Sequence, residues 1–228
     1  MNVATEDYLK TIFNLTQQQD RAGTKDIADR LGISQASVTG YLQKLAGSDP
    51  PLILYKKRDG ASLTEAGTRW ALKVIRNHRL IETFLYRTLG YSWDRVHDEA
   101  CRMEHVISEE FEARIAELLG NPTHDPHGDP IPDRNLHMPD EKALSLAELQ
   151  PGDVAMIERV SDSDAALLRY LEKNRLVPGK RLTVKERSPF DQNMTLRIHG
   201  VRGKVVLGPS VAQQVFVEKE VRHVHTAA

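Results

Sequence analysis

A single cysteine, Cys101, in 228 residues excludes an intrachain disulfide and argues against a stapled extracellular scaffold. No uninterrupted apolar run approaches the length needed to cross a bilayer. The opening Met-Asn-Val-Ala-Thr-Glu-Asp lacks a basic stretch followed by an apolar one, so no secretion leader is expected. These absences point to the cytoplasm and away from a membrane. Internal repeats and low-complexity tracts are also missing. So are a Gly-rich phosphate loop, a nucleophile elbow and a Glu placed as in a His-Glu-x-x-His protease. A metallohydrolase with an open coordination position remains an alternative class, but the chain lacks the parts it needs, and no enzyme is expected.

What is present starts with a 40 % hydrophobic share, enough for a real core. The net charge of −1 hides a pattern. Residues 1–80 carry 12 Lys/Arg against 8 Asp/Glu, residues 81–150 carry 6 against 15, and residues 151–228 carry 13 against 9. A basic first segment suits an anionic polymer and an acidic middle suits cations, although solvated faces give the same counts.

The chain reads as mainly α with a small β domain. Residues 1–75 alternate short amphipathic helices with one hairpin. Residues 76–120 read as helical, with Ser92 as N-cap of a long helix over 93–119. Residues 121–140, rich in Pro, Asp and His, read as an ordered connector. Beyond residue 144, the segments 154–160, 181–186, 194–199, 203–207 and 214–218 read as short strands around a helical stretch at 164–174. Five strands suggest a small barrel. The expected divisions are 1–75, 76–143 and 144–228.

Residues 24–45 have the order of a helix-turn-helix. Ile27, Ala28 and Leu31 form one apolar face, and Gly32 sits where the turn needs a positive φ. Ser34 can N-cap a second helix that buries Val38, Leu42 and Leu45. The DNA-facing candidates are Thr24, Ser34, Gln35, Ala36, Ser37, Thr39, Gly40, Gln43 and Lys44, mostly short hydrogen-bonding groups suited to a major groove. The hairpin 52–64 turns at Asp59-Gly60 and places Lys56, Lys57 and Arg58 at its tip as a phosphate clamp. Thr64 can cap the next helix. Double-stranded DNA is the expected partner.

His97, Cys101, Glu104 and His105, spaced i, i+4, i+7 and i+8, form one ligand-capable stripe on an α-helix. It runs beside an apolar stripe of Val96, Ala100, Met103, Ile107 and Phe111. His78 and Glu82 repeat the i, i+4 relation one helix earlier, and Asp7 supplies a nearby carboxylate on the first amphipathic helix. So many ligand types at helical spacing fit a metal site; a hydrogen-bonded polar seam at a subunit interface fits the same residues. Leu80, Phe84, Leu85 and Leu89 form an apolar face suited to a homodimer or to the internal core.

The opening TEDYLKTIFNL, the winged helix-turn-helix, HRLIETFL, VHDEACRMEHVISEEFEARI and PHGDPIP together resemble the diphtheria toxin repressor family, with its iron-dependent and manganese-transport-regulator branches. The resemblance covers nearly the whole chain. It implies a winged helix-turn-helix, a helical dimerisation domain and a C-terminal Src-homology-type, FeoA-like five-stranded β-barrel. It implies a homodimeric repressor of metal homeostasis that binds a palindromic operator once one or two Mn(II) or Fe(II) ions per subunit are in place. One site would use Asp7, Cys101, Glu104 and His105. The other would use His78, Glu82 and His97, or Asp125 and His127 of the connector, with an oxygen from Asp162 or Asp164. Asp7 replaces the Met of the iron branch and favours Mn(II), Cys101 matches the iron branch, and Lys10 stands where the manganese branch has a Glu ligand. The competing regulator is a winged-helix protein that senses a small organic effector without metal.

Overall fold

The computed structural model describes residues 1–17, 19–139 and 143–220. Residue 140 of the expected connector, residues 141–142 and the last eight residues of the expected barrel region lie outside the described residues. The chain forms two compact units. The first comprises residues 1–81, 101–118 and 131–138, and the second 82–100, 119–130 and 139–228.

In the first unit, α1 (Val3–Thr16), α2 (Thr24–Leu31) and α3 (Gln35–Ala46) precede the antiparallel pair β1 (Ile53–Lys56) and β2 (Gly60–Leu63). The predicted signals act as expected. Gly32 closes α2 at φ 66°, Ser34 accepts the Ser37 amide to start α3, and Thr64 accepts the Gly67 amide at the head of α4 (Glu65–Arg87). Ile12, Ile27, Val38, Leu42 and Ile53 are fully buried around one core. The wing is anchored by paired backbone bonds between Ala22 and Ala61. The turn expected at Asp59-Gly60 instead spans residues 57–59, and Gly60 opens β2 opposite Lys56; a Cβ there would stand 2.6 Å from the Ala22 carbonyl, so this position demands glycine.

The long helix expected over 93–119 is two. Helix α4 ends at Arg87, α5 spans Val96–Met103 and α6 spans Glu109–Leu118. Ser92 does not cap an α-helix, because residues 93–95 form a turn. The break at 104–108 has a local cause. Ser108 accepts the Phe111 amide at 3.2 Å and caps α6, whose first turn is acidic. Leu80 and Leu85 are buried within the chain, whereas Leu89 is exposed. Leu80 and Leu85 therefore serve the internal core rather than an outer face.

The second unit holds a six-stranded antiparallel sheet ordered β3-β8-β4-β5-β6-β7. Its strands are β3 (Leu144–Ser145), β4 (Val154–Val160), β5 (Arg181–Arg187), β6 (Met194–Ile198), β7 (Val205–Leu207) and β8 (Val215–Lys219). The expected five strands and the helix α7 (Ala165–Lys173) are all present. The sixth strand, β3, is a two-residue pairing with β8, too short to show an alternating pattern. A four-residue helix, α8 (Pro209–Ala212), precedes β8. Leu146, Ile157, Leu182, Val184, Leu196 and Val217 are among the residues that fill the barrel core, with Trp93 packed into it.

Candidate metal centre and nucleic-acid interface

The ends of α5 and α1 build the first cluster, all within the first unit. Helix α5 stops at Met103, so Glu104 and His105 fall in the following turn rather than continuing the helical stripe. One ligand atom each from Asp7, Glu104 and His105 lies within 4.8 Å of the others. His105 Nε2 is 3.0 Å from Asp7 Oδ1 and 3.3 Å from Glu104 Oε1. Its Nδ1 lies 2.6 Å from Glu6 Oε2, which accepts the Nδ1 proton and leaves Nε2 to face the two carboxylates. Cys101 sits half-buried near the end of α5, forms no disulfide and is not one of this trio.

Lys10 crosses the cluster. Its ammonium donates to both oxygens of Glu104, at 3.0 and 2.7 Å, and lies 3.1 Å from His78 Nδ1. His78 also contacts Glu104 directly, and both side chains are buried. Burial pushes the Glu104 carboxyl up, but the His78 hydrogen bond and the charges of His78 and Lys10 together hold it below the usual range. The Asp7 carboxyl is held above its usual range, chiefly by burial, despite the nearby His105. Sequence reasoning noted Lys10 only as a lost ligand and missed Glu6. The available signal was that Thr5 and Glu6 interrupt the face of α1 that otherwise buries Leu9 and Ile12.

The second cluster belongs to the second unit. His97 Nδ1 lies 3.2 Å from Glu82 Oε1 and 3.0 Å from Asp162 Oδ2. Glu82, Asp125 and His127 form a fully buried group beside it. Asp162 lies in this cluster, whereas Asp164 caps α7 by accepting the amides of Ala166 and Leu167. The connector is held to β4 by the Val160 amide donating to the His127 carbonyl, and a Cβ on Gly128 would lie 1.9 Å from the Glu158 carbonyl. Asp125 accepts the amides of His127 and Asp129 and so shapes the turn that carries His127.

His127 Nε2 donates to the Trp93 carbonyl at 2.9 Å. Its Nδ1 is buried, makes no hydrogen bond and faces Glu82 Oε2 at 3.8 Å. Burial opposes charge on this ring, yet Glu82, with Asp125 and Asp162, raises its pKa to about 9. Burial pushes the Asp162 carboxyl up, but the His97 hydrogen bond and the charges of His97 and His127 together hold it at about 2. A buried imidazole nitrogen aimed at a carboxylate without bonding it, its other nitrogen fixed by a carbonyl, is the arrangement of a metal-ligating histidine. With carboxylates and imidazoles as donors, both clusters fit a divalent first-row ion.

The recognition surface is separate. Gln35, Ala36, Ser37, Gly40, Gln43 and Lys44 on α3 are exposed, with Ser34 at its head. Thr39 and Thr24 are half-buried. No atom lies within 4 Å of a Cβ built on Gly40, so this face is open. Lys56, Lys57 and Arg58 are exposed on the wing, where Arg58 adopts φ 72°. Helix α1 ties this surface to the first cluster: Tyr8 stacks on Tyr41 of α3 at 4.4 Å, and Thr5 Oγ1 lies 2.8 Å from the Tyr41 hydroxyl.

Comparison with known proteins matches three parts of the chain. Residues 2–61 match the iron dependent repressor N-terminal DNA binding domain, residues 64–133 the iron dependent repressor metal binding and dimerisation domain, and residues 144–219 the FeoA domain. The iron-dependent repressor IdeR of Mycobacterium leprae is 35 % identical over 228 residues, covering 94 % of this chain and 96 % of that protein. The diphtheria toxin repressor of Corynebacterium jeikeium is 29 % identical, covering 86 % and 80 %. A solved manganese-dependent transcriptional repressor complex with manganese superposes with a TM-score of 0.87 at 38 % identity, covering 93 % of this chain and 98 % of that one. No helix among the described residues is long and apolar enough to cross a membrane. With its winged helix, helical region and FeoA barrel matched in order, the chain belongs to the diphtheria toxin repressor family of metal-dependent, DNA-binding transcriptional repressors.

Proposed function

We propose that this chain is a cytoplasmic homodimeric repressor of manganese homeostasis that binds a palindromic operator when Mn(II) is bound, with Fe(II) as the competing activator. The observation that carries this reading is the first cluster, in which Asp7 on α1 meets Glu104 and His105 beyond α5. Two carboxylates and an imidazole are hard to borderline donors and suit Mn(II). The structural relative in complex with manganese supports the same ion. Cys101, three residues before Glu104, is assigned as a further donor on the family resemblance alone. Glu82, His97, Asp125, His127 and Asp162, with His78, are assigned to a second ion. The three proposed parts are a DNA-binding module (1–75), a metal-binding and dimerisation region (76–143) and a barrel (144–228).

Asp7, Glu104 and His105 would hold the ion, which would supply positive charge to offset the two carboxylates. The protein does the rest. Glu6 fixes the His105 ring, Lys10 ties α1 to Glu104, and the Tyr8–Tyr41 stack carries the position of α1 to the recognition helix. Gln35, Ser37, Thr39 and Gln43, with Thr24, Ser34, Ala36, Gly40 and Lys44 around them, face base edges and the nearest phosphates. Lys56, Lys57 and Arg58 hold phosphates. In a two-fold dimer the two recognition helices meet major-groove faces about 34–36 Å apart, or a multiple of that. Metal binding would shift the equilibrium only if the DNA-competent arrangement held the ion more tightly, and a coupling of about 1–3 kcal/mol per site would give a useful response. Footprinting on promoter fragments tests this. Two symmetric protected half-sites are expected with Mn(II) and none with chelator; an asymmetric or metal-independent footprint contradicts it.

A further inference from the structure

The outer face of the barrel carries a charge pattern that neither metal cluster uses. Residues 175–204 hold eight Lys/Arg against two Asp/Glu. Alternation along β5 and β6 points Leu182, Val184, Leu196 and Ile198 into the core, which turns Thr183, Arg197 and His199 outward. Thr183 and Arg197 are cross-strand neighbours, and a bulge between Val184 and Glu186 sets Lys185 out of the ladder. The turn after β6, with Gly200 at φ 80° and Gly203 at φ 93°, brings Arg202 to the same place. Together these side chains line an open groove of about 500 Å³ with no carboxylate in its lining.

The cations in this groove are available. Glu220, a nearby acid, is taken by Arg181 in a two-pronged pair at 2.5 and 2.6 Å. Among the described residues, Lys185, Arg197 and Arg202 have no carboxylate partner, and all three are exposed. His199 Nε2 and Thr183 Oγ1 lie 2.9 Å apart and add polar groups to the floor. A site for a compact anion would sink its donors into the protein. Three exposed cations along an open groove instead suit phosphates that stay partly hydrated on a polymer.

We propose that this groove binds the sugar-phosphate backbone of duplex DNA, making the barrel a second, sequence-independent DNA contact in addition to the winged helix. The proposal rests on the repressor reading above. It gives the FeoA domain a role in affinity rather than in sequence choice.

The test is the salt dependence of binding by the full chain in saturating Mn(II), using a long mixed-sequence duplex. Each cation that neutralises a phosphate contributes about 0.9 to the slope of log affinity against log salt, so three give ~2.7. Lys185→Ala/Arg197→Ala/Arg202→Ala is expected to flatten the slope by about 2–3 and to weaken binding on the order of 100-fold at moderate salt, with Mn(II) uptake unchanged. Lys173→Ala/Lys180→Ala, exposed cations of the same unit outside the groove, is expected to leave the slope alone. Arg197→Gln/Arg202→Gln gives a milder version should the triple variant fold poorly. An unchanged slope in either groove variant overturns the proposal while leaving the repressor reading intact. No duplex binding by the wild-type chain in Mn(II) overturns both.

Discussion

Asp7 and Glu104 sit in the same cluster but are held in opposite ways, and neutralising each in turn separates metal binding from stability. Glu104 is 2 % exposed and accepts two bonds from Lys10 while contacting His78. Its carboxyl is held below the usual range, so its ionised form stabilises the fold above that range, and the contribution disappears as pH falls through the folded pKa. Glu104→Gln leaves an ammonium facing a neutral amide; breaking a buried pair costs about 3–5 kcal/mol, and the retained amide oxygen places this case near 3. Asp7 is raised instead, so its ionised form opposes folding at neutral pH. Asp7→Asn therefore costs nothing or stabilises slightly. Both variants lose a charged donor, and Mn(II) affinity falls by more than the ~10–100-fold that loss of a supporting partner costs. Urea unfolding in chelator reads the first quantity and titration calorimetry with Mn(II) the second. An Asp7→Asn protein as destabilised as Glu104→Gln, or one that takes up Mn(II) like the wild type, refutes the reasoning.

At the second cluster His127 stays protonated up to a pKa of about 9. Ion uptake must displace that proton, so apparent affinity should rise about tenfold per pH unit below that value and level off above it. Calorimetry in buffers of different ionisation enthalpy should report close to one proton released; a pH-independent affinity contradicts the assignment. Gly128→Ala drives a Cβ into the Glu158 carbonyl at a residue with φ 92°. It should destabilise the chain by roughly 1–3 kcal/mol and weaken the second site, read by thermal unfolding and Mn(II) stoichiometry. Lys57→Ala and Arg58→Ala should each weaken binding to all duplexes and cut the salt slope by about 0.9, whereas Gln43→Ala should relax sequence preference by about 1–3 kcal/mol. Anisotropy titrations over several salt concentrations and duplex sequences check both.

The winged helix was legible because its signals are local. Gly32, Ser34, Gly60 and Thr64 each do what their residue types dictate over a few neighbours. The barrel strands were legible by alternation, except β3, whose two residues carry no period. The helix break after Met103 was missed because His97, Cys101, Glu104 and His105 fit an unbroken helix; the Ser108-Glu109-Glu110 start signal lay within that apparent periodicity. The break turns Glu104 and His105 toward α1. Glu6, Lys10 and the Trp93 carbonyl act through contacts with residues 99, 94 and 34 positions away. No single-sequence spacing encodes such pairs. That Asp164 rather than Asp162 caps α7 likewise shows only in the folded chain.

The most direct test of a metal-gated repressor is fluorescence anisotropy of the full chain on a promoter fragment it protects, at fixed salt and without oxygen, in Mn(II), in Fe(II) and in chelator. The account predicts tight, sequence-specific binding with Mn(II) and only weak, non-specific binding in chelator. Equal specific binding in chelator would leave a winged-helix DNA-binding protein without a metal switch and would contradict the central claim.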